Sequence, residues 1–363
     1  MRRSNNPAQI ANRRLVNEHL VNPELKTAVE VVATLGAVQA QDYGGSKWAL
    51  SQRAIGLTDV AIEDDISTGR IVRTHVLRPT WHFVAAADIR WMLRLTAPRV
   101  HMANAYSYRY HELDEAVFRK SRRALTRALE GGKHLTREEL AAAMKAARIN
   151  IDDRQRVAHL MMNAELDGLI CSGARRGKQF TYSLLDERVP AGEVFSRDEA
   201  LSELAKRFFS TRGPATLDDF AWWSGLTKTD ARRGALAAAS AVVEEKIEGR
   251  SYYSAADERK LKRSANLAHL LPNYDEYFVG FKDRGAMVHR LRQKGLNPRT
   301  DALFGHVLTI NGQVVGGWTR SLTPREVRVT LRIVDKLSRP EERAIDKAVK
   351  QFAGFLGRQA RVV

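Results

Sequence analysis

A repeated unit constrains the fold of this sequence more than any other feature. In the clearer copy, residues 134–186, Thr136 and Glu139 form a capping-box signal that starts a short helix. A turn at 148–153 leads to a second helix with apolar residues at helical spacing, which Gly168 ends. Two extended pieces, LICSG and QFTYSLL, then flank a basic tip. Helix, turn, helix and hairpin in this order is the pattern of a winged helix-turn-helix.

A second copy of the unit spans residues 198–255. Thr216 starts its first helix, Gly225 breaks that helix and Thr227 caps the next one. The extended pair VVEEKIEG and RSYYSA closes the copy as a wing. Because many winged helices mediate only protein contacts, a helical hairpin without DNA contact stays open as an alternative.

The first 100 residues fit the same plan less cleanly. Helices are expected at 7–20, 25–40, 47–55 and 59–68, followed by the strands IVRTHV and TWHFVA and by a helical stretch at 88–130. The last 100 residues instead alternate apolar and polar side chains. Asn311-Gly312 predicts a two-residue hairpin between two such runs, and a helix is expected at about 340–357.

The sequence therefore predicts an α+β protein. It combines tandem winged helix-turn-helix motifs, three in number, with a C-terminal β-barrel-like domain. The first predicted domain contains two closely spaced glutamines in a Gln-x-Gln arrangement. The expected domains are 1–115, 116–190, 191–264 and 265–363.

Charge indicates a polyanionic partner. The formal net charge is +17 and is spread over the chain, rising to +8 over residues 265–363, where 17 basic side chains meet 9 acidic ones. A folded surface that contacts nucleic acid distributes charge in this way, although cationic surfaces without such a partner exist. No apolar run approaches the roughly 18 residues of a membrane span. The single Cys171 excludes a disulfide framework, and a cytoplasmic, nucleoid-associated protein is expected.

Two glutamines stand out because no familiar catalytic signature is present. The sequence has no P-loop, HExxH, GxSxG or CxxC motif. Gln39 and Gln41 lie two residues apart before Gly44-Gly45, so in an extended segment their amides point the same way and can hold a water between them. Helix capping or a polar edge is the alternative interpretation.

Four stretches together resemble the AlkZ-like family of winged-helix DNA glycosylases. They are LGAVQAQDYGGSKWALSQR, VRTHVLRPTWHFV, LLPNYDEYFVGFKDR and NGQVVGGWTR, in order between residues 35 and 320. The family consists of bacterial enzymes that remove bulky alkylated purines and unhook interstrand crosslinks. The resemblance implies three tandem winged helices and a C-terminal β-barrel in a C-shaped molecule that cradles DNA.

The resemblance also implies roles for particular residues. The family's Gln-x-Gln motif, thought to place the hydrolytic water, is matched by Gln39-Ala40-Gln41. A related branch has Gln-x-Asp, so Gln41 aligns this chain with the crosslink-acting branch. Asp42 either faces the cleft or caps the local turn, and His75 is an accessory candidate.

This chemistry is physically consistent with two amides. Alkylation at N7 or N3 puts positive charge on a purine, so the leaving group is already activated, and the transition state is oxocarbenium-like. Glutamines can position a water and supply dipoles, but they are not strong bases. The expected activity is a monofunctional DNA glycosylase of base excision repair that excises N7-alkylguanine and leaves normal guanine.

Basic residues in several segments are candidates for contacts with DNA phosphates. Lys47 is expected on a helix surface, with a solvated or phosphate-contacting role rather than that of a lyase nucleophile. Arg73 and Arg78 either grip phosphates or brace the first unit. The others lie at the tip of the second wing and before the barrel hairpin: Arg175, Arg176, Lys178, Arg284, Arg290, Arg292, Lys294 and Arg299.

The remaining expectations concern partners and alternatives. The partner is damaged double-stranded DNA, with no membrane, cofactor or metal, and the chain acts as a monomer. Asp275, Glu276 and Lys282-Asp283-Arg284 are expected to form an internal ion-pair network. Two non-enzymatic classes stay open: a transcription regulator with tandem winged helices, and an accessory factor that holds damaged DNA without cutting it.

Overall fold

The fold is given by a computed structural model that describes residues 7–257, 259, 266–293, 295, 305–334 and 336–363. The first unit consists of α1 (Pro7–Asn17), α2 (Ala28–Leu35), β1 (Val38–Gln39), α3 (Tyr43–Ser51), α4 (Asp59–Ser67), β2 (Ile71–Val76) and β3 (Arg78–Ala85). The strands form an antiparallel sheet in the order β1-β3-β2, and the two predicted strands are confirmed.

A glycine shortens the helix expected at 25–40. α2 starts at a capping box between Thr27 and Glu30 and ends at Leu35, because Gly36 takes a positive φ of 82°. The chain then extends and pairs with β3 through Val38 and Gln39. The expectation of a helix through residue 40 is therefore wrong, and the turn at Gly36 makes Gln39 a strand residue.

The helical stretch at 88–130 is confirmed, with one break. It forms α5 (Ile89–Tyr110) and α6 (Glu115–Leu129). Glu112 takes a φ of 52° between them, and the Asp114 side chain accepts the backbone N–H of Val117 to cap α6.

The second unit follows the sequence pattern closely. Its elements are β4 (Leu135–Thr136), α7 (Arg137–Ala146), α8 (Arg154–Leu166), β5 (Ile170–Ser172), β6 (Thr181–Leu184) and α9 (Leu185–Arg188). The capping box of Thr136 and Glu139 is confirmed, as is the positive φ of Gly168 after α8. A core of its own lies between α6, α7, α8 and the sheet β4-β6-β5.

The third unit also has the predicted caps. Its elements are α10 (Arg197–Arg212), α11 (Leu217–Ser224), α12 (Lys228–Ala237), β7 (Val242–Ile247) and β8 (Arg250–Ala255). Thr216 caps α11, Gly225 ends it with a φ of 69°, and Thr227 caps α12. The two strands pair in antiparallel orientation, as expected for the hairpin of this unit.

The C-terminal segment is built on one five-stranded sheet that curls into a half-barrel. Its elements are β9 (Ala268–Leu271), α13 (Glu276–Val279), α14 (His289–Arg292), β10 (Val307–Ile310), β11 (Gln313–Leu322), β12 (Glu326–Ile333), α15 (Arg339–Phe355) and β13 (Gln359–Val362). The Asn311-Gly312 hairpin is confirmed, with φ values of 48° and 74°. β13 was not predicted; it pairs with β12 in parallel at the sheet edge.

Two of the hydrophobic cores mix residues from distant segments. One joins Trp48 of the first unit to Trp318 and Phe352 of the C-terminal segment. Another joins Trp223 of the third unit to Tyr277 and to first-unit residues. The C-terminal segment thus packs on the units before it, while the domain boundaries stay a prediction. In the part of the chain that the structure describes, no helix has both the length and the apolarity of a membrane span.

Candidate active site

Gln39 is held in place at the end of β1 by contacts from three directions. Its backbone N–H donates to Glu276 Oε1 at 2.8 Å, and its carbonyl accepts the Ser46 hydroxyl at 2.8 Å. Its side-chain Oε1 accepts a hydrogen bond from Arg78 Nη2 at 3.2 Å. The residue is only 7% exposed, so its amide has a defined orientation and limited access to solvent.

Arg78 has no ion-pair partner among the described residues. Its guanidinium lies 5.7 Å from the ring of Trp222, which is 45% exposed. Burial lowers the pKa of Arg78, although Glu276 opposes this effect. An arginine normally keeps its charge in such surroundings, so Arg78 brings a cation to the amide oxygen of Gln39.

Gln41 occupies a different environment from Gln39. It is exposed and lines a cavity of about 170 Å³ between the first and second units. Its side-chain amide has no hydrogen-bond partner among the described residues, so both the donor and the acceptor are available to a ligand. The other lining residues come from β2, β3, α7, α8 and β6 or adjoin them: His75, Pro79, Trp81, Arg137, Ala158, Met161, Met162, Glu165 and Tyr182.

Asp42 caps α3, which was one of its two predicted roles. Its Oδ1 accepts the backbone N–H of Gly45 at 3.1 Å. Its Oδ2 lies 3.4 Å from Arg320 Nη2 and 3.6 Å from His306 Nε2, both of the C-terminal sheet region. Asp42 therefore links the start of α3 to the half-barrel.

His75 is buried and paired with a carboxylate that sequence reasoning missed. Its Nδ1 is in hydrogen-bond contact with Glu165 Oε2, and its ring lies 4.5 Å from that of Trp81. Glu165 is 1% exposed, and its Oε1 has no hydrogen-bond partner among the described residues. Glu165 follows Met161 by four residues on the buried face of α8, so a carboxylate at a core position was the available signal.

Arg73 supports the segment that carries Gln39 and Gln41 by a hydrogen bond to the backbone between them. Its Nε donates to the carbonyl of Ala40 at 3.0 Å, and its guanidinium lies 4.3 Å from the Trp81 ring and 4.9 Å from that of Phe180. It is 9% exposed, and burial lowers its pKa. These contacts favour the bracing role of Arg73 over a phosphate contact.

The expectation that Lys47 lies on a helix surface is wrong. Its Nζ lies 2.8 Å from Asp59 and 2.7 Å from Glu63, and the residue is 5% exposed. α4 packs over α3 and supplies both carboxylates, which neutralise the ammonium within the first unit. These ion pairs favour an internal role for Lys47 over a phosphate contact.

The second wing presents its basic residues in three different ways. Arg175 is half-buried against Tyr43 and Phe180 and lies 3.6 Å from Glu63. Arg176 is exposed but pairs with Glu139 at 2.8 Å. Lys178 is exposed and has no ion-pair partner in the described ranges.

The basic stretch before the barrel hairpin is only partly described. Arg284 donates through Nε to the carbonyl of Phe278, and Arg290 pairs with Glu341 of α15 at 2.8 Å. Arg292 is exposed. Lys294 and Arg299 lie outside the described residues.

The predicted internal ion-pair network is confirmed for Asp275 and Glu276 but wrong for Lys282-Asp283-Arg284, because Lys282 and Asp283 form exposed pairs with Asp218 and Arg250, and Arg284 donates to a carbonyl. Asp275 binds Arg53 with both oxygens, at 2.7 and 3.0 Å, and Glu18 binds the same guanidinium at 2.7 Å. Glu276 binds Arg212 at 2.7 Å and the indole N–H of Trp223 at 2.8 Å, with its other oxygen on the Gln39 backbone. Both carboxylates are buried, so the network joins the glutamine segment to the third unit and the C-terminal segment. No group of three or more metal-binding side chains occurs in the described ranges.

Comparison with known proteins identifies the family to which this chain belongs. The profile of the family described as DNA glycosylase AlkZ-like matches residues 32–355. The chain belongs to the AlkZ-like DNA glycosylase family. The AlkZ-like fold is also found in a solved structure, the Streptomyces sahachiroi DNA glycosylase AlkZ. The two chains align with a TM-score of 0.77 and 19% identity over 98% of this chain and 99% of that one. No curated protein matches the sequence.

Membership of the AlkZ-like family makes the chain a DNA glycosylase of DNA repair, a hydrolase whose substrate is DNA. The four stretches on which the resemblance rested contribute to one region of this AlkZ-like protein. The first carries Gln39, the second Arg78, the third Glu276 and the fourth Arg320. The other wall of the cavity that Gln41 lines comes from α7, α8 and β6 of the second unit.

Proposed function

We propose that this protein is a monofunctional DNA glycosylase that hydrolyses the N-glycosidic bond of purines alkylated at N7 or N3, with interstrand crosslinks as a further substrate class. Gln39 and Gln41 position the attacking water. The single observation that carries the proposal is the exposed Gln41 amide on a cavity wall, two residues along the chain from Gln39, whose amide oxygen is fixed by Arg78.

The chemistry requires few groups because the substrate is activated. An alkylated purine leaves as a neutral base, taking the electron pair of the glycosidic bond, and C1′ develops positive charge. Amide dipoles oriented toward a water hold it near C1′ and stabilise the developing charge. Because the oxygen of Gln39 is engaged by Arg78, its NH₂ group is the end available to the water.

The surrounding architecture supports DNA binding by repeated modules. We propose three winged-helix units at 1–115, 116–190 and 191–264, together with a barrel-like segment at 265–363 that completes a C-shaped, DNA-cradling monomer acting on the chromosome in the cytoplasm. Exposed Arg292 and Lys178 fit phosphate contacts. The partner is duplex DNA that carries the lesion.

The decisive experiment measures base release and abasic sites in a duplex with one N7-methylguanine. The unaltered chain is expected to release the base, and Gln39→Ala and Gln41→Ala to lower the single-turnover rate by about 10²-fold. Arg233→Gln, in an exposed ion pair of the third unit, is the matched control. Release of normal guanine at an equal rate would contradict the glutamine-centred mechanism. Binding without any release would favour a non-catalytic binder.

Borohydride tests the monofunctional assignment. A Schiff base between a lysine and the sugar would be trapped as a covalent protein–DNA adduct. No adduct is expected, since the Nζ of Lys47 is held by two carboxylates. A trapped adduct would assign a lyase step instead.

A further inference from the structure

The cavity beside Gln41 has a second polar wall. Along with Gln41 it is lined by the paired side chains of His75, on β2, and Glu165, on α8. The pair therefore spans the first and second units and faces the same space as an amide of the proposed site. At about 170 Å³ and with several polar groups in its wall, the cavity can hold ordered water.

The pairing sets the hydrogen positions on the imidazole. An ionised carboxylate can only accept, so Nδ1 of His75 carries the hydrogen in its contact with Glu165 Oε2. The other nitrogen, Nε2, is then a lone-pair acceptor, and it has no hydrogen-bond partner among the described residues. A carboxylate that fixes the tautomer of an imidazole in this way also stabilises the imidazolium when a proton arrives.

In the part of the chain that the structure describes, Glu165 has one unbonded oxygen, as Glu18 does in the buried network around Arg53. It is 1% exposed, yet its Oε1 has no partner among the described residues. Burying an unsatisfied carboxylate oxygen is costly unless a ligand or water satisfies it. The Arg53–Asp275 pair shows the contrast, because both oxygens of that carboxylate are bonded to the guanidinium.

We propose that His75 is the proton acceptor for the attacking water and that Glu165 is its positioning residue. The inference rests on the proposed function, and it supplies what two amides lack, a group that can take a proton. The water oxygen bonds to C1′ as the C1′–N bond breaks, and the bond's electron pair leaves with the purine. The water's proton passes through cavity water to Nε2 of His75. The imidazolium, paired with Glu165, later releases that proton to solvent.

The test compares variants of the full chain on a duplex with one N7-methylguanine, under single-turnover conditions. Glu165→Gln keeps the shape of the side chain, and His75→Ala opens room for added imidazole. Each is expected to lower the rate of base release by about 10²-fold with unchanged affinity for DNA. Imidazole is expected to restore part of the His75→Ala rate.

The matched control is another histidine–carboxylate pair, between α5 and the end of α8. His101 Nε2 lies 3.1 Å from Asp167 Oδ1, away from the cavity that Gln41 lines. His101→Gln is expected to leave the rate unchanged. Thermal unfolding of each variant shows whether it folds, and the isosteric Glu165→Gln carries the test if His75→Ala does not.

The outcomes separate the two proposals. Base release by the unaltered chain together with near-unaltered rates in both variants would overturn the His75–Glu165 proposal and leave the proposed function standing. Rates that fall only in step with DNA affinity, or a His75→Ala rate that imidazole does not raise, would also overturn it. If the unaltered chain releases no alkylated base, the proposed function fails and this inference fails with it.

Discussion

Arg78 Nη2 and Gln39 Oε1 are joined by a hydrogen bond of 3.2 Å, the one side-chain contact among the described residues that orients the buried amide. β3 carries Arg78 and pairs with β1, which carries Gln39, so the sheet sets their separation. While Arg78 engages the oxygen, the NH₂ group is the end of the amide that remains for another partner.

Removing the Arg78 guanidinium should therefore impair catalysis more than binding. Arg78→Gln is expected to lower the single-turnover rate about 10-fold, because the Gln39 amide is then free to rotate. Rates and DNA affinities measured in parallel check this. Arg70→Gln, at an exposed pair with Asp64, is the control and should keep the rate. Equal rates of base release in the two variants would show that Arg78 does not contribute to catalysis.

The glycine after α11 controls the same region. Gly225 has a φ of 69°, and a Cβ there would lie 2.2 Å from the carbonyl oxygen of Leu77, next to Arg78. Gly225→Ala is expected to destabilise the fold by more than the roughly 1–2 kcal/mol of left-handed strain alone and to lower activity. Gly249→Ala, at a φ of 78° with no atoms within 4 Å, should show only the strain. Urea unfolding of both variants measures the difference.

The buried carboxylate of Glu276 should be critical for stability. Glu276→Gln leaves Arg212 without its ion-pair partner in the interior, and such uncompensated charges cost about 3–5 kcal/mol. Asp198→Asn, in an exposed pair with Arg233, should change stability by about 0–1 kcal/mol. Equilibrium denaturation compares them, and similar losses would contradict a central role for Glu276.

Exposed Arg292 offers a test of the DNA surface. Each phosphate contact adds about 0.9 to the slope of log Kobs against log salt. Arg292→Gln should reduce that slope by about one, as measured by fluorescence anisotropy between 50 and 200 mM salt. Arg233→Gln should leave the slope unchanged. An unchanged salt slope in the Arg292 variant as well would show that Arg292 does not contact a DNA phosphate.

Stability should also depend on pH through His19. Burial, and then Arg259 and Arg53, lower its pKa from 6.5 to about 4. Between these values the unfolded chain binds a proton that the folded chain does not, so this group's contribution to stability falls as the pH drops from 6.5 to 4. His19 has a φ of 59°, which asparagine tolerates. The free energy of unfolding of His19→Asn should therefore fall less over that interval, and an unchanged profile would contradict the assignment.

Local signals in the sequence predicted the structure correctly where a few neighbouring residues determine the backbone conformation. The caps at Thr136, Thr216 and Thr227 and the hairpin at Asn311-Gly312 are set by side-chain hydrogen bonds and positive φ angles within four residues. The Gln-x-Gln motif could be singled out only because it matches the motif of a known family. The half-barrel edge strand β13 carried no such signal, because its parallel partner is decided by tertiary packing.

The contacts that complete the candidate site could not be predicted from neighbouring residues in the sequence. Glu276 reaches the Gln39 backbone across 237 residues of sequence, and Glu165 reaches His75 across 90. Lys47 looked like a surface residue because nothing local indicates that α4 will cover it. Charge and helical spacing describe an element, whereas these pairs depend on how several elements assemble.

The hydrogen bond from the Gln39 backbone to Glu276 has a consequence for biosynthesis. A nascent chain that has left the ribosome only as far as residue 264 carries both glutamines and all three helical units, but not Glu276, whose carboxylate accepts the Gln39 backbone N–H. The motif is therefore synthesised before the residue that holds its backbone, so a chain that stops before Glu276 should not fix Gln39 in this position.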